Sequence, residues 1–222
     1  MKIVPFRRRP ASVGKIDAVI PAYNEEQTVG AVVRALKASS CVRRVVVVSD
    51  GSEDRTVHYA RLAGADMIVE QENTGKTGAM KAGVAHTATE YILFLDADLI
   101  GLTPAHVEAL CRPVLSGGCE ATIGVFRKGR ARTDAAHVLS PYLSGQRVVS
   151  RGLFNRALMN VTDGFGVEIV LTRALKNENI PCETVPLEEM SHRTKEEKRG
   201  YWEGTKARVK MYSHILKNIR QG

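Results

Sequence analysis

Residues 91–99 read Tyr-Ile-Leu-Phe-Leu-Asp-Ala-Asp-Leu, an apolar run that ends on two aspartates separated by one alanine. A short apolar run of this kind, followed at once by polar residues, fits a buried strand better than a helix. Two carboxylates at a strand end, two residues apart, can converge on a hard cation and its water shell. Magnesium and manganese prefer such oxygen ligands and also bind substrate phosphates. Asp96 and Asp98 could instead be helix-capping residues of a turn, but the strand context favours the metal.

The same pattern recurs on both sides of this stretch. Ile16–Ile20 reads as a buried strand, followed by Pro21, Tyr23 and Asn24, and then by a helix over Glu25–Lys37 capped by Asn24. Arg44–Ser49 holds four consecutive valines and leads into Asp50-Gly51-Ser52, after which Glu53–Leu62 reads as a helix. Met67–Val69 is a short strand and Lys76–Ala85 a helix. Thr103 caps a further helix with Pro104 at its first position, and Ala121–Phe126 is another strand. Short strands alternating with longer helices predict an α/β protein built on a single, mostly parallel, twisted sheet flanked by helices. In such sheets ligands bind outside the carboxyl ends of the strands. Three strands deliver polar residues to that edge, two of them with carboxylates, which structural turns alone do not require.

Beyond residue 126 the pattern is less regular. Residues 127–160 are basic with Gly and Ser, and read as a loop plus a helix over the site. A helix around Val167–Leu175 and a strand near Glu183–Leu187 follow, and residues 195–220 read as a long basic helix. The chain thus divides into a basic lead-in at 1–14, a catalytic domain at 15–192 and a basic carboxy-terminal helix at 193–222. That helix spaces Trp202, Val209, Tyr212, Leu216 and Ile219 along one face, among lysines and arginines. It either lies on an anionic membrane or packs on the domain.

Composition narrows the function. With 222 residues, 44% hydrophobic and 25% charged, the chain can bury one sizeable core and is not disordered. Its net charge of +8 suits phosphate-bearing ligands, anionic lipid or nucleic acid, and equally well plain solubility. At 5% aromatic it lacks stacking platforms for single strands, so nucleic acid is not expected. No apolar run is long enough to span a bilayer, and the amino terminus has no signal-peptide core. Cys41, Cys111, Cys119 and Cys182 form no CxxC pair, which fits reduced thiols. The expectation is a cytoplasmic protein, at most peripheral on the inner membrane face.

Several other residues carry two readings each. Asp50 could bind ribose hydroxyls or a base edge, or simply open a glycine turn. Gly75-Lys76-Thr77 is not a P-loop, since position 70 is Glu where that motif needs Gly. Lys76 at a glycine-rich helix start can still pair with a phosphate. His192 could complete a metal site or be a surface histidine. Glu168 could be an acceptor ligand, a base, or a first-turn helix residue favoured by the dipole.

Together these segments resemble the family 2 glycosyltransferases with the GT-A fold, from about Ile16 to Arg208. The matching pieces are PAYNEEQTVG at 21–30, VVVVSDGSEDRT at 45–56, NTGKTGAMKAG at 73–83 and LFLDADL at 93–99. LSGQR at 143–147, GFGVE at 164–168 and SHRTKEEKRG at 191–200 look like dolichol-phosphate mannosyltransferases and glucosyl-3-phosphoglycerate synthases. The resemblance implies that Pro21, Tyr23 and Glu25 line the base and ribose, that Asp50 contacts the base edge or ribose, and that Lys76 lies near the nucleotide. It implies Asp96 at the ribose and metal, Asp98 directly on the metal, and His192 as the additional metal ligand. Gly145, Gln146 and Glu168 would face donor sugar or acceptor.

Two departures matter. Dolichol-phosphate enzymes commonly carry Gln two residues after the DxD motif, where this chain has Ile100; this favours His192 as the extra ligand. The Glu-Asp base pair of many inverting members is absent from the second half, which leaves the stereochemical course open: for inversion Glu168 and Asp163 are the base candidates, and for retention the leaving phosphate takes the proton and no dedicated base is needed.

The resulting expectation is a hexosyltransferase. It would move sugar from a UDP- or GDP-sugar, with Mg2+ or Mn2+, to a phosphate-containing small molecule or lipid, and a homodimer is the assembly considered with it. UDP is favoured by the family's habit. The rival readings are a sugar-nucleotide-forming nucleotidyltransferase and a non-catalytic sugar-nucleotide binding protein. The acidic Tyr23-Asn24-Glu25-Glu26 segment opposes the first, and the intact Asp96, Asp98 and Lys76 oppose the second.

Overall fold

Four consecutive valines can be buried only if both faces of their strand are covered, and the fold covers both. A computed structural model of the protein describes residues 14–127, 144–159 and 166–192, apart from the side chains of Arg127 and His192. Its strands are β1 (Ile16–Ala22), β2 (Val42–Asp50), β3 (Met67–Gln71), β4 (Tyr91–Phe94), β5 (Leu99–Ile100), β6 (Ala121–Arg127), β7 (Arg147–Ser150), β8 (Cys182–Glu188) and β9 (Ser191–His192). The helices are α1 (Val29–Lys37), α2 (Thr56–Leu62), α3 (Gly75–Ala85), α4 (Pro104–Leu115), α5 (Arg151–Met159) and α6 (Val167–Asn177).

Seven strands form one sheet in the order β3-β2-β1-β4-β7-β6-β8, and β5 pairs with β9 in a separate ribbon. The β3-β2-β1-β4 half is parallel throughout, with Val19 opposite Val46 on one side and Phe94 on the other. Only β7 runs against its neighbours, β4 and β6, while β6 and β8 are again parallel.

Alternation along the strands sorts the apolar residues onto two faces. Ala18, Ile20, Val45, Val47 and Leu93 join Val32, Leu36, Val107 and Leu110 from α1 and α4 in one core. Val19, Val46, Val48, Ile92 and Phe94 join Ala79, Met80, Leu153 and Leu171 from α3, α5 and α6 in the other. Helix α3 lies so close to the sheet that a Cβ on Gly83 would overlap Val19. Thr103 caps α4 as expected, accepting from the His106 amide at 3.3 Å, with Pro104 at the first turn.

Three expectations are corrected. Helix α1 begins at Val29 rather than Glu25, and Asn24 sits at φ 55° in the turn before it. The side chain of Asn24 instead accepts from the Glu53 amide at 2.9 Å, across to the neighbouring loop. Helix α2 begins at Thr56 rather than Glu53, because Asp54 closes a turn on the Thr56 amide at 2.9 Å. Within 127–160, the segment read as loop plus helix also contains strand β7, whose first residue is a buried arginine.

Asp17, at the opposite end of β1 from the polar loops, is fully buried. It accepts from Arg43 Nε at 2.8 Å and Nη2 at 2.6 Å, and from the Ala88 amide at 2.7 Å. Burial pushes its carboxyl up, but the Arg43 and backbone donors outweigh that and hold it below the usual carboxylate range. It fastens the start of the sheet to the turn before β4. No described helix is long and apolar enough to cross a membrane.

Candidate active site

At the carboxyl edge of the parallel strands, the first two loops are knitted together. The Asn24 amide donates to Ser52 Oγ at 3.1 Å, the Glu25 amide to Thr56 Oγ1 at 2.8 Å, and the Glu26 amide to Asp54 Oδ2 at 3.1 Å. Half-buried Pro21 and Tyr23 lie on this wall. Glu25 is buried and accepts from Thr28 Oγ1 at 3.3 Å.

Asp50, also buried, ends β2. Its Oδ1 accepts from Gln71 Nε2 at 2.7 Å, the Thr74 amide at 2.9 Å and Thr74 Oγ1 at 3.2 Å. Those bonds hold the turn from which α3 starts, and so place Lys76 one residue into the helix.

Lys76 Nζ lies 2.5 Å from Asp96 Oδ1 and 2.5 Å from Glu168 Oε1. One ammonium thus bridges the first aspartate of the triplet and the first turn of α6. Burial opposes its charge, but the two carboxylates outweigh burial and raise the lysine well above its usual range. Asp96 is held on its other oxygen as well, where Gln146 Nε2 donates to Oδ2 at 2.7 Å. Gly145 packs against the same carboxylate: a Cβ there would sit 2.6 Å from Asp96 Cγ and closer still to both oxygens. Only glycine lets the backbone approach the aspartate this closely.

Arg147 follows, 1% exposed. Its Nε donates to the Ser144 carbonyl at 3.1 Å, and its Nη2 to the same oxygen. Its Nη1 donates to the Glu168 carbonyl at 3.1 Å and to Thr172 Oγ1 at 3.3 Å. Burial lowers its pKa, although the charges of Glu168 and Asp96 act in the opposite sense. Within LSGQR, nothing local marks Arg147 for this role. An arginine opening an apolar strand carries no pattern that separates it from a surface arginine.

Asp50, Lys76, Asp96, Gly145, Gln146 and Glu168 are therefore one connected group at the sheet edge. Asp98 is half-buried two residues beyond Asp96. Asp163 and the His192 side chain lie outside the described residues. Among the described residues no three His, Cys, Asp or Glu side chains cluster at metal-binding range. The donor set nonetheless fits a hard cation, since such an ion takes one or two carboxylates and fills its shell with water and substrate phosphates. Asp96 and Asp98 supply two.

A mostly parallel sheet with helices on both faces, and an acidic, lysine-bridged group at its carboxyl edge, is the architecture of a nucleotide-binding α/β protein, and the solved structures it aligns with make the fold GT-A. Residues 17–175 match the model of glycosyl transferase family 2, and the chain belongs to that family. The 4,4'-diaponeurosporenoate glycosyltransferase of Staphylococcus aureus is 36% identical over 97 residues, 41% of this chain and 26% of that protein. The glucosyl-3-phosphoglycerate synthase of Mycolicibacterium smegmatis is 32% identical over 123 residues, 51% of this chain and 41% of that protein. The matches thus span well under two thirds of either relative. The solved glucosyl-3-phosphoglycerate synthase of Mycobacterium tuberculosis, in complex with Mn2+, UDP and glucosyl-3-phosphoglycerate, aligns with a TM-score of 0.67 and 29% identity. That alignment covers 82% of this chain and 72% of the other.

Proposed function

We propose that this protein is a hexosyltransferase that moves a sugar from a UDP-sugar to a phosphate-containing acceptor with the help of Mg2+ or Mn2+. The observation that carries the reading is the Asp96–Lys76–Glu168 bridge at the carboxyl edge of the sheet, beside Asp50 and Asp98. Nucleotide and metal are supported by the M. tuberculosis synthase, whose structure holds UDP, Mn2+ and a phosphorylated product.

In this reading Pro21, Tyr23, Glu25 and Asp50 form the wall for base and ribose. Asp96 and Asp98 would hold the cation, and His192 is the third ligand proposed with them. A bound cation neutralises charge on the leaving diphosphate. Lys76 supplies a further positive charge to that diphosphate. Gly145 and Gln146 set the floor beneath the donor sugar. For an inverting transfer, Glu168, across Lys76 from Asp96, is the carboxylate that would receive the acceptor's proton, with Asp163 as the alternative; for a retaining transfer the leaving phosphate would take it.

Calorimetric titration with UDP-glucose and GDP-mannose, with Mn2+ and then with chelator, tests the reading. Metal-dependent binding of the uridine series, lost in Asp98→Ala, is the expected result. No binding of either series, with or without metal, refutes it. Transfer of labelled glucose to a panel of phosphate-bearing acceptors then identifies the acceptor class. The cellular setting proposed with this reading is cytoplasmic, with the basic segment after residue 192 touching the anionic inner membrane face, and a homodimer as the assembly. Sedimentation with anionic liposomes and light scattering test those two points.

A further inference from the structure

Residues 144–147 contact both the Asp96 carboxylate and the backbone carbonyl of Glu168, and each has a distinct contact. Ser144 Oγ donates to the Gly124 carbonyl at 2.5 Å, which ties the segment to β6. Gly145 lies flat against Asp96, and Gln146 holds its Oδ2. Arg147 turns inward, grips the carbonyl of Ser144 behind it, and reaches across to the Glu168 carbonyl and Thr172 in α6. One guanidinium therefore joins the segment that sets Asp96 to the helix turn that sets Glu168. A planar fork of fixed donors suits that task better than a flexible ammonium, which keeps the charge but not the paired geometry.

The acceptors in these contacts are also informative. Among the described residues, Arg147 donates only to neutral oxygens, yet the group is 1% exposed. A buried cation without a carboxylate in contact is costly unless charge nearby compensates it. Compensation comes through space from Glu168 and Asp96. Arg147 and Lys76 thus set two positive charges against two negative ones, Lys76 from the open side and Arg147 from within the domain. Arg151, on the next helix, differs: its guanidinium caps the Thr89 and Val84 carbonyls at 3.0 and 3.4 Å, away from this group.

We propose that Arg147 is a positioning residue of the sugar-transfer site: it holds the Asp96 and Glu168 carboxylates in fixed relation through the backbone of residues 144–146 and 168. The proposal rests on the functional reading above for its catalytic meaning, though its physical content can be read in the ligand-free protein.

The experiment compares wild type with Arg147→Met, Arg147→Lys and Thr172→Val. Hydrogen exchange in the ligand-free proteins is read at three amides that bond beside the bracket: Gly124 to the Gln146 carbonyl, Gln146 to Ser144 Oγ, and Ile169 to the Gly166 carbonyl. Arg147→Met is expected to speed exchange there by tenfold or more, with β2 unchanged. Arg147→Lys should recover part of the protection, and Thr172→Val should show a smaller effect confined to Ile169. Mn2+-dependent UDP affinity should fall tenfold or more in Arg147→Met and recover partly in Arg147→Lys. If Arg147→Met does not fold, the lysine and Thr172 variants carry the same comparison against wild type.

Exchange that rises uniformly across the sheet, or affinity unchanged in folded variants, overturns the positioning role. A wild-type protein that binds no UDP with Mn2+ overturns the functional reading instead, while the exchange pattern still decides the role of Arg147.

Discussion

Gly145→Ala is the smallest change that reaches the candidate active site. The new Cβ would lie 2.6 Å from Asp96 Cγ, where ordinary contact begins at 3.4 Å. The atoms in the way are the end of a short side chain rather than backbone, so the aspartate gives way by about 1 Å and the chain stays folded. Such a retreat stretches the 2.7 Å bond from Gln146 and the 2.5 Å pairing with Lys76 to or beyond hydrogen-bonding range. Charge-assisted bonds of this kind are worth about 1.5–3 kcal/mol each when buried. The Lys76 and Asp96 side chains are 36% and 17% exposed, so a total of about 1–2 kcal/mol is appropriate. For a chain of this size that lowers Tm by roughly 3–6 °C. The functional loss is larger, because misplacing a reacting group by about 1 Å can cost about a hundredfold in rate. Thermal melting measures the first effect; the rate of sugar release from UDP-glucose with Mn2+, beside calorimetry with UDP, measures the second. A Gly145→Ala protein that melts near wild type and binds UDP with Mn2+ at unchanged affinity would refute the reasoning.

Two further predictions follow from the described contacts. Asp17→Asn leaves Arg43 without its carboxylate and turns an amide toward the Ala88 N–H; because Arg43 is 41% exposed and rehydrates, the expected cost is about 2–3 kcal/mol, or a fall of roughly 5–10 °C in Tm. The folded-state carboxyl of Asp17 is depressed, so its stabilisation is complete above the usual carboxylate pKa of about 3.9 and is lost as pH falls through the folded value. Urea midpoints at neutral and strongly acidic pH should therefore drop further in wild type than in Asp17→Asn, and parallel drops would refute the assignment. Lys76→Met leaves Asp96 and Glu168, 17% and 16% exposed, facing each other without a shared cation, and should weaken UDP binding about tenfold or more while the fold persists. Unchanged affinity would remove Lys76 from the nucleotide site.

Much of the first half of the fold was legible in the residues. Strands buried on both faces leave continuous apolar runs, so β1, β2 and β4 stand out, and each ends where its polar loop begins. The boundaries of α1 and α2 were less legible. Asn24 and Glu53 look like helix starters locally, but their hydrogen bonds cross to the neighbouring loop, a choice made by packing. Strand β7 is not legible in the residues, because it is four residues long and opens on Arg147, whose burial the local pattern does not show.

The site divides along the same line. By itself the sequence determined that Asp50, Asp96 and Asp98 stand at strand ends and that Lys76 opens a helix, because strand and helix periods are local properties of the chain. Only the tertiary structure decided that Lys76 bridges Asp96 to Glu168, 92 residues later in the chain than Lys76 itself, and that Gly145 and Gln146 close on the same aspartate. Those contacts depend on β7 running antiparallel beside β4 and on α6 packing over the sheet. Such long-range register is set by the shape of the whole core, which no short stretch of residues encodes.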